Sequence, residues 1–249
     1  MKAFWPIFKR ELFAFWVTPL AWVLTCVFLV VQGLHFSVLV KNFAEMGQVE
    51  SDQTPISAFF GNTVLLYLVL FLLVPPMTMR LFAEERRAGT IESLMTAPVS
   101  APAVVLAKYG AALVTYAAMW APTLLYVVIL GRSGSVDWHV VGASYLGVLL
   151  VGAAYLSLGL LMSALTKSQF IALVLTALVL LVLFIVGIGE FVTRDGTMLH
   201  DICAYLSVWA QMNDFASGVV DSRRVMLDCT LIALPLFLSA RVVDSWRWS

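Results

Sequence analysis

Residues 80–100 read Arg80-Leu-Phe-Ala-Glu-Glu-Arg-Arg-Ala-Gly-Thr-Ile-Glu-Ser-Leu-Met-Thr-Ala-Pro-Val-Ser100, and a further cation, Lys108, follows closely. Long, almost uncharged runs of Leu, Val and Ala flank the stretch on both sides. Ionised side chains are expensive in hydrocarbon and survive there only when paired or hydrated. So dense a cluster between two apolar runs is therefore a water-facing connection between membrane spans. It is where a membrane-embedded chain meets something soluble.

Working outward, the 249 residues are 61% hydrophobic and 12% charged. Soluble domains carry about 25% charged residues, and here the charge is clustered rather than spread. Several runs approach the ~20 apolar residues needed to cross a hydrocarbon layer about 30 Å thick. The expected fold is an all-α integral membrane protein, one transmembrane domain over residues 1–249. Zero formal net charge gives no basis for a nucleic-acid partner, whereas membrane lipid is an obligatory one. Cys26, Cys203 and Cys229 form no CxxC motif; a Cys203–Cys229 disulfide is conceivable only if both face an oxidising compartment. The first apolar run is too long for a signal-peptide core and lacks a small-residue cleavage site, so it is read as a retained span.

Six spans are expected, at residues 17–40, 58–79, 103–130, 140–165, 170–188 and 225–243. Only Thr166-Lys167-Ser168-Gln169 separates the fourth from the fifth, which implies a tight helical hairpin. With the N-terminus inside, ten of the fifteen basic residues fall on the inner side and five on the outer. The positive-inside rule then puts both termini and the charged island in the cytoplasm; the expected location is a plasma (bacterial inner) membrane. Residues 1–16 can form an interfacial helix, with Phe4, Trp5, Phe8, Leu12, Phe15 and Trp16 on one face; a plain basic flank reads equally well. Residues 190–224 mix Ile202, Tyr205, Trp209 and Met212 with Asp201, Gln211 and Asp214, as expected of an amphipathic or shallow re-entrant element.

Within the island, Gly89 breaks the chain and Thr90 can cap a short helix at residues 91–96, with Glu92 favoured near its positive end. Pro98 limits that helix. Ser100 can cap the next one, with Pro102 in its first turn. A small, semi-apolar helix held below a membrane suits docking into a groove on a cytosolic partner; a solvated loop that only sets topology is the alternative. The pattern Phe82, Glu84, Glu85, Gly89, Thr90, Glu92, Leu94, Pro98, Ser100 and Lys108 resembles the cytoplasmic signature of permease subunits of type-2 ABC exporters. Phe8-Lys-Arg-Glu-Leu12 followed by Thr18-Pro-Leu-Ala-Trp22, and later Asn213-Asp-Phe-Ala-Ser-Gly-Val-Val-Asp221, resemble the gliding-motility-type branch of that family. The resemblance implies a subunit that dimerises with a second copy or a paralogue and binds two cytosolic ABC ATPase subunits. It makes residues 80–102 a coupling segment, with Glu84, Glu85, Arg86, Arg87, Thr90, Glu92 and Leu94 as the ATPase contacts.

No G-x-x-x-x-G-K-[ST] occurs in the chain, so ATP and magnesium would be bound by the partner, and no cofactor is expected here. His35, His139 and His200 are scattered and make no metal pattern, and no catalytic pair is recognisable, so the chain is not expected to be an enzyme. The near absence of ionisable residues within the spans counts against an ion-coupled carrier. Two readings remain: the permease of an ATP-driven exporter, or a membrane scaffold that anchors a motility, secretion or envelope complex without transport. Tyr116, Trp120 and Pro122 in the third span suit packing better than a substrate path. Gly142, Gly147, Gly152 and Gly159 in the fourth permit close helix approach, within one chain or across a dimer.

Overall fold

The computed structural model describes residues 4–45, 54–61, 63–90, 99–133, 136–194 and 196–246. These are helical with no strand among them, and six helices are long and apolar enough to cross a membrane. The all-α membrane fold is thus borne out, with shifts at the span ends that have local causes.

Helix α1 (Phe4–Val17) is followed at Thr18 by a break, because Pro19 opens α2 (Pro19–Glu45), the first span. The first span therefore starts beyond Val17. The second was expected from residue 58, but residues there form a separate short helix, α3 (Pro55–Phe60), whose N-cap Thr54 accepts from the Ser57 N–H. The chain breaks at Gly61, where a Cβ would lie 2.8 Å from Asn213 Oδ1 and 2.9 Å from the Ser57 carbonyl. Only then does α4 (Val64–Thr78) begin, and it ends soon after Pro75 and Pro76, which lack the N–H groups needed to continue the ladder. A turn over residues 79–82 leads to α5 (Ala83–Ala88), closed by Gly89 in the left-handed region, φ 72°.

The third span is α6 (Ala101–Trp120), a 3₁₀ turn at Ala121–Thr123 containing Pro122, and α7 (Leu124–Ser133). Ser100 occupies the N-cap position of α6 as expected, but its hydroxyl makes no capping bond. The fourth and fifth spans, α8 (Trp138–Leu165) and α9 (Gln169–Val192), form the expected hairpin. Two short helices follow, α10 (Met198–Leu206) and α11 (Val208–Ala216), before the last span, α12 (Ser222–Ser245). Cys203 and Cys229 are free, so no disulfide joins them.

Helix α8 is the spine: α4, α6, α9, α11 and α12 all pack against it. Its small residues make this possible, and they do so within the single chain. A Cβ on Gly147 would lie 2.6 Å from the Phe215 ring, on Gly152 2.3 Å from the Tyr116 ring, and on Gly159 2.3 Å from Thr78 Oγ1. Tyr116 and Trp120 are almost completely buried, and Tyr116 Oη donates to the Val148 carbonyl at 3.1 Å. Their role is packing. Gly152→Leu is expected to destabilise the protein by about 1–3 kcal/mol through overpacking. Thermal unfolding in detergent should show the loss, and Tyr116→Ala should recover part of it in the double variant.

Candidate functional site

The charged island does not hang free beneath the spans. Its first half is bolted to two helices, one before and one after it in the chain, by a node of two cations and two carboxylates. Lys108 projects from the first two turns of α6 and is only 1% exposed, too deep for an unpaired ammonium. Its Nζ lies 3.1 Å from Glu11 Oε1 on α1 and 3.0 Å from Glu85 Oε1 on α5. The same two oxygens accept from Arg10 Nη2, at 2.7 Å for Glu11 and 2.8 Å for Glu85. Each carboxylate oxygen is thus shared by both cations. The hydrogen bond to Glu11 holds the Arg10 guanidinium above its ordinary pKa. The Lys108 ammonium also sits 5.3 Å from the centre of the Phe82 ring, where a cation–π attraction adds to the ion pairs.

A second set of contacts fixes the turn ahead of α5. The backbone N–H groups of Phe82 and Ala83 donate to Ser163 Oγ at 3.1 and 3.2 Å, and Ser163 in turn donates to the Met79 carbonyl. Phe82 is fully buried and meets the Trp246 ring edge-on. Arg86 donates to the Ala164 carbonyl at 3.0 Å and stacks 4.6 Å over Trp246. The turn is therefore pinned to the ends of α8 and α12. Arg80 lies over the Phe15 ring of α1 at 5.1 Å.

The expected docking residues separate into two kinds. Glu84, Arg87 and Thr90 are exposed. Glu85 and Arg86 turn inward and act as struts. The Thr90 hydroxyl donates to the Glu85 carbonyl at 3.4 Å. Glu92 and Leu94, and the short helix expected at residues 91–96, lie outside the described residues. A polar cavity of about 550 Å³ opens between α1 and α5, lined by Arg10, Glu11, Arg80, Glu84, Glu85 and Lys108 among others. It can receive a complementary polar side chain.

Arg10 and Glu11 entered the sequence reading only within a family-like motif, and Lys108 only as a cation following the island at a family-like position; no partner was assigned to any of them. The signal available was weak: an acidic residue among aromatics in the first helix, and a lone lysine two turns inside an apolar span. Among the described residues no group of His, Cys, Asp or Glu is arranged to hold a metal.

A family model described as ABC-2 family transporter protein matches residues 36–227. That is most of the chain, and it includes the island, the spine and the short helices α10 and α11. The chain belongs to the ABC-2 transporter family. It is a multi-pass integral membrane protein and the permease subunit of an ABC transporter, a membrane component without catalytic activity of its own, whose family works with partners such as ATPase subunits. No curated protein matches the chain.

Removing the ammonium leaves Glu11 and Glu85 facing each other with only Arg10 between them. Lys108→Met is expected to cost about 3 kcal/mol, the low end for breaking a buried pair because both glutamates retain some solvent contact. Thermal unfolding should report it, and limited proteolysis should show earlier release of α1. Glu84→Gln, at an exposed neighbouring position, should leave both readouts unchanged.

Proposed function

We propose that this permease is the membrane half of an ATP-driven exporter, and that separate cytosolic ABC ATPase subunits, which bind ATP and magnesium, dock on the loop of residues 80–102. The reading places both termini and this loop in the cytoplasm of a bacterial inner membrane. It has two permease copies, or this chain and a paralogue, sharing one path. The single observation that carries it is the Lys108 node. A loop that merely joined two spans would have no need of a buried ammonium, two interhelical carboxylates and a serine-pinned turn.

Mechanically, a push on the exposed side of α5 meets a body that cannot bend locally. Glu85 passes it to α6 through Lys108 and to α1 through Arg10. The turn bonded to Ser163 passes it to α8, and α4 rises directly from that turn. Closure of the ATPases on nucleotide binding would therefore move several spans together and switch the path between inward and outward access. Glu84, Arg87 and Thr90, with Glu92 and Leu94 further along, are the contacts proposed for the ATPase surface, while Glu85 and Arg86 hold the surface in place.

Copurification with the cognate ATPase tests this. Glu84→Lys combined with Arg87→Glu is expected to lower ATPase affinity about tenfold or more with no change in the unfolding temperature of the permease. Undiminished ATPase binding in that double variant would remove the docking role from α5.

A further inference from the structure

The first span carries an amide at a depth where hydrocarbon offers it no partner. Gln32 lies inside α2 and is 1% exposed, and neither its Oε1 nor its Nε2 has a hydrogen-bond partner. His35, three residues on, is buried too. Its Nε2 lies 3.2 Å from Thr63 Oγ1, while its Nδ1 is buried without a partner. Residues three apart on a helix share a face. Two neighbouring buried side chains thus hold three unmet polar atoms between them.

Aromatic rings enclose them. Phe28, one turn before Gln32 on the same face of α2, meets Trp120 edge-on at 4.9 Å. Trp120 lies 6.3 Å from Phe60, Phe60 meets Phe59 edge-on at 4.9 Å, and Phe59 stacks on His35 at 4.9 Å. This chain of rings leaves α2 at Phe28 and returns to it at His35, and Gln32 lies on the helix between the two. All of its members are buried. Phe59 and Phe60 come from α3. Trp120 comes from the end of α6, where the third span breaks at Ala121–Thr123.

We propose that this enclosure is a hydration site, in which ordered water is held by the Gln32 carboxamide and His35 Nδ1. The three atoms have different needs. Oε1 accepts and Nε2 donates, while Nδ1 does either, according to whether Thr63 donates to Nε2 or accepts from it. A group that both donates and accepts serves all of them, and a buried water typically makes about three such bonds. The rings are in contact with one another, which shuts out a larger ligand. Polar atoms left bare here would be costly in protein and hydrocarbon alike. The water acts as a structural ligand that seats the first span on α3 and on the broken third span. The site is independent of ATPase docking at residues 80–102.

Synchrotron hydroxyl-radical footprinting, read by mass spectrometry on the purified full-length permease in detergent, tests this. Radicals formed from a bound water attack the side chains beside it, however deeply they are buried. Phe28 and Phe215 are matched in type and in exposure, at 1% each, and Phe215 packs against Gly147 of α8. Phe28 is expected to oxidise several-fold faster than Phe215, and Gln32→Leu should bring it down to the Phe215 rate. The same variant should lower the unfolding temperature by about 2–4 °C, the shift for roughly one lost hydrogen bond in a chain of this size. A glutamine without water would give the opposite sign, because leucine in its place removes unmet polar atoms and stabilises the fold. A Phe28 rate no faster than that of Phe215, a rate unchanged in Gln32→Leu, or a higher unfolding temperature in that variant would each overturn the proposal. The wild-type rates decide alone if Gln32→Leu fails to fold.

Discussion

An ammonium group cannot stay charged and buried unless opposite charge comes to it, and Lys108 is buried to 1%. The fold answers with Glu11 from the N-terminal helix and Glu85 from the charged turn, and Arg10 closes the set. Desolvating such a group alone costs several kcal/mol. The three helices are therefore committed to one another as soon as α6 is in place. The amphipathic first helix is thereby more than a membrane float. It packs along α6, and its Phe8 ring lies beside Gly110.

From this node the structure extends outward through a few stiff elements. The turn held by Ser163 sits at the foot of α4, and α4 runs from there to Val64 at the apolar cavities beside α9. Its neighbour α8 is packed so closely through Gly147, Gly152 and Gly159 that it has no room to shift without moving Phe215, Tyr116 or Thr78. The opposite end of the spans is tied in the same manner. Helix α11 is anchored by Met212 and Phe215 in the core, and Gln211 donates to the buried Asp228 of α12. Arg224 pairs with Asp214 at 3.0 Å and donates to the carbonyls of Ala204 and Tyr205. Gln211, Asp214, Arg224 and Asp228 thus sit where helix ends are fastened to one another.

Much of this could be read from the chain. Hydrophobic run length located the six spans, because crossing a bilayer demands it, and Gly89, Ser100 and Pro102 marked the turn and the start of α6. Breaks inside runs were harder. Position 61, between α3 and α4, has room only for glycine because Asn213 crowds it, and Asn213 lies on a helix that a local reading cannot place beside it. The node was harder still. Arg10 and Glu85 meet across 75 residues, and no local pattern announces a partner at that distance. Glu84 and Glu85 look interchangeable in sequence, yet a step of about 100° around the helix points one to solvent and the other to Lys108. The close contacts of the fourth-span glycines became assignable to one chain only when Tyr116, Thr78 and Phe215 were found opposite them.

Under the proposed function, α1, α5 and the base of α6 move as one body when the ATPase acts. The most direct measurement is the distance between spin labels at Phe13 on α1 and Ala88 on α5, both exposed. It would be taken in the permease–ATPase complex with its native cysteines replaced, without nucleotide and with ATP trapped. The account predicts the same narrow distance in both states, and a broadened one in Lys108→Met. A wild-type distance that changes with nucleotide, or a Lys108→Met distribution as narrow as that of the wild type, would contradict it.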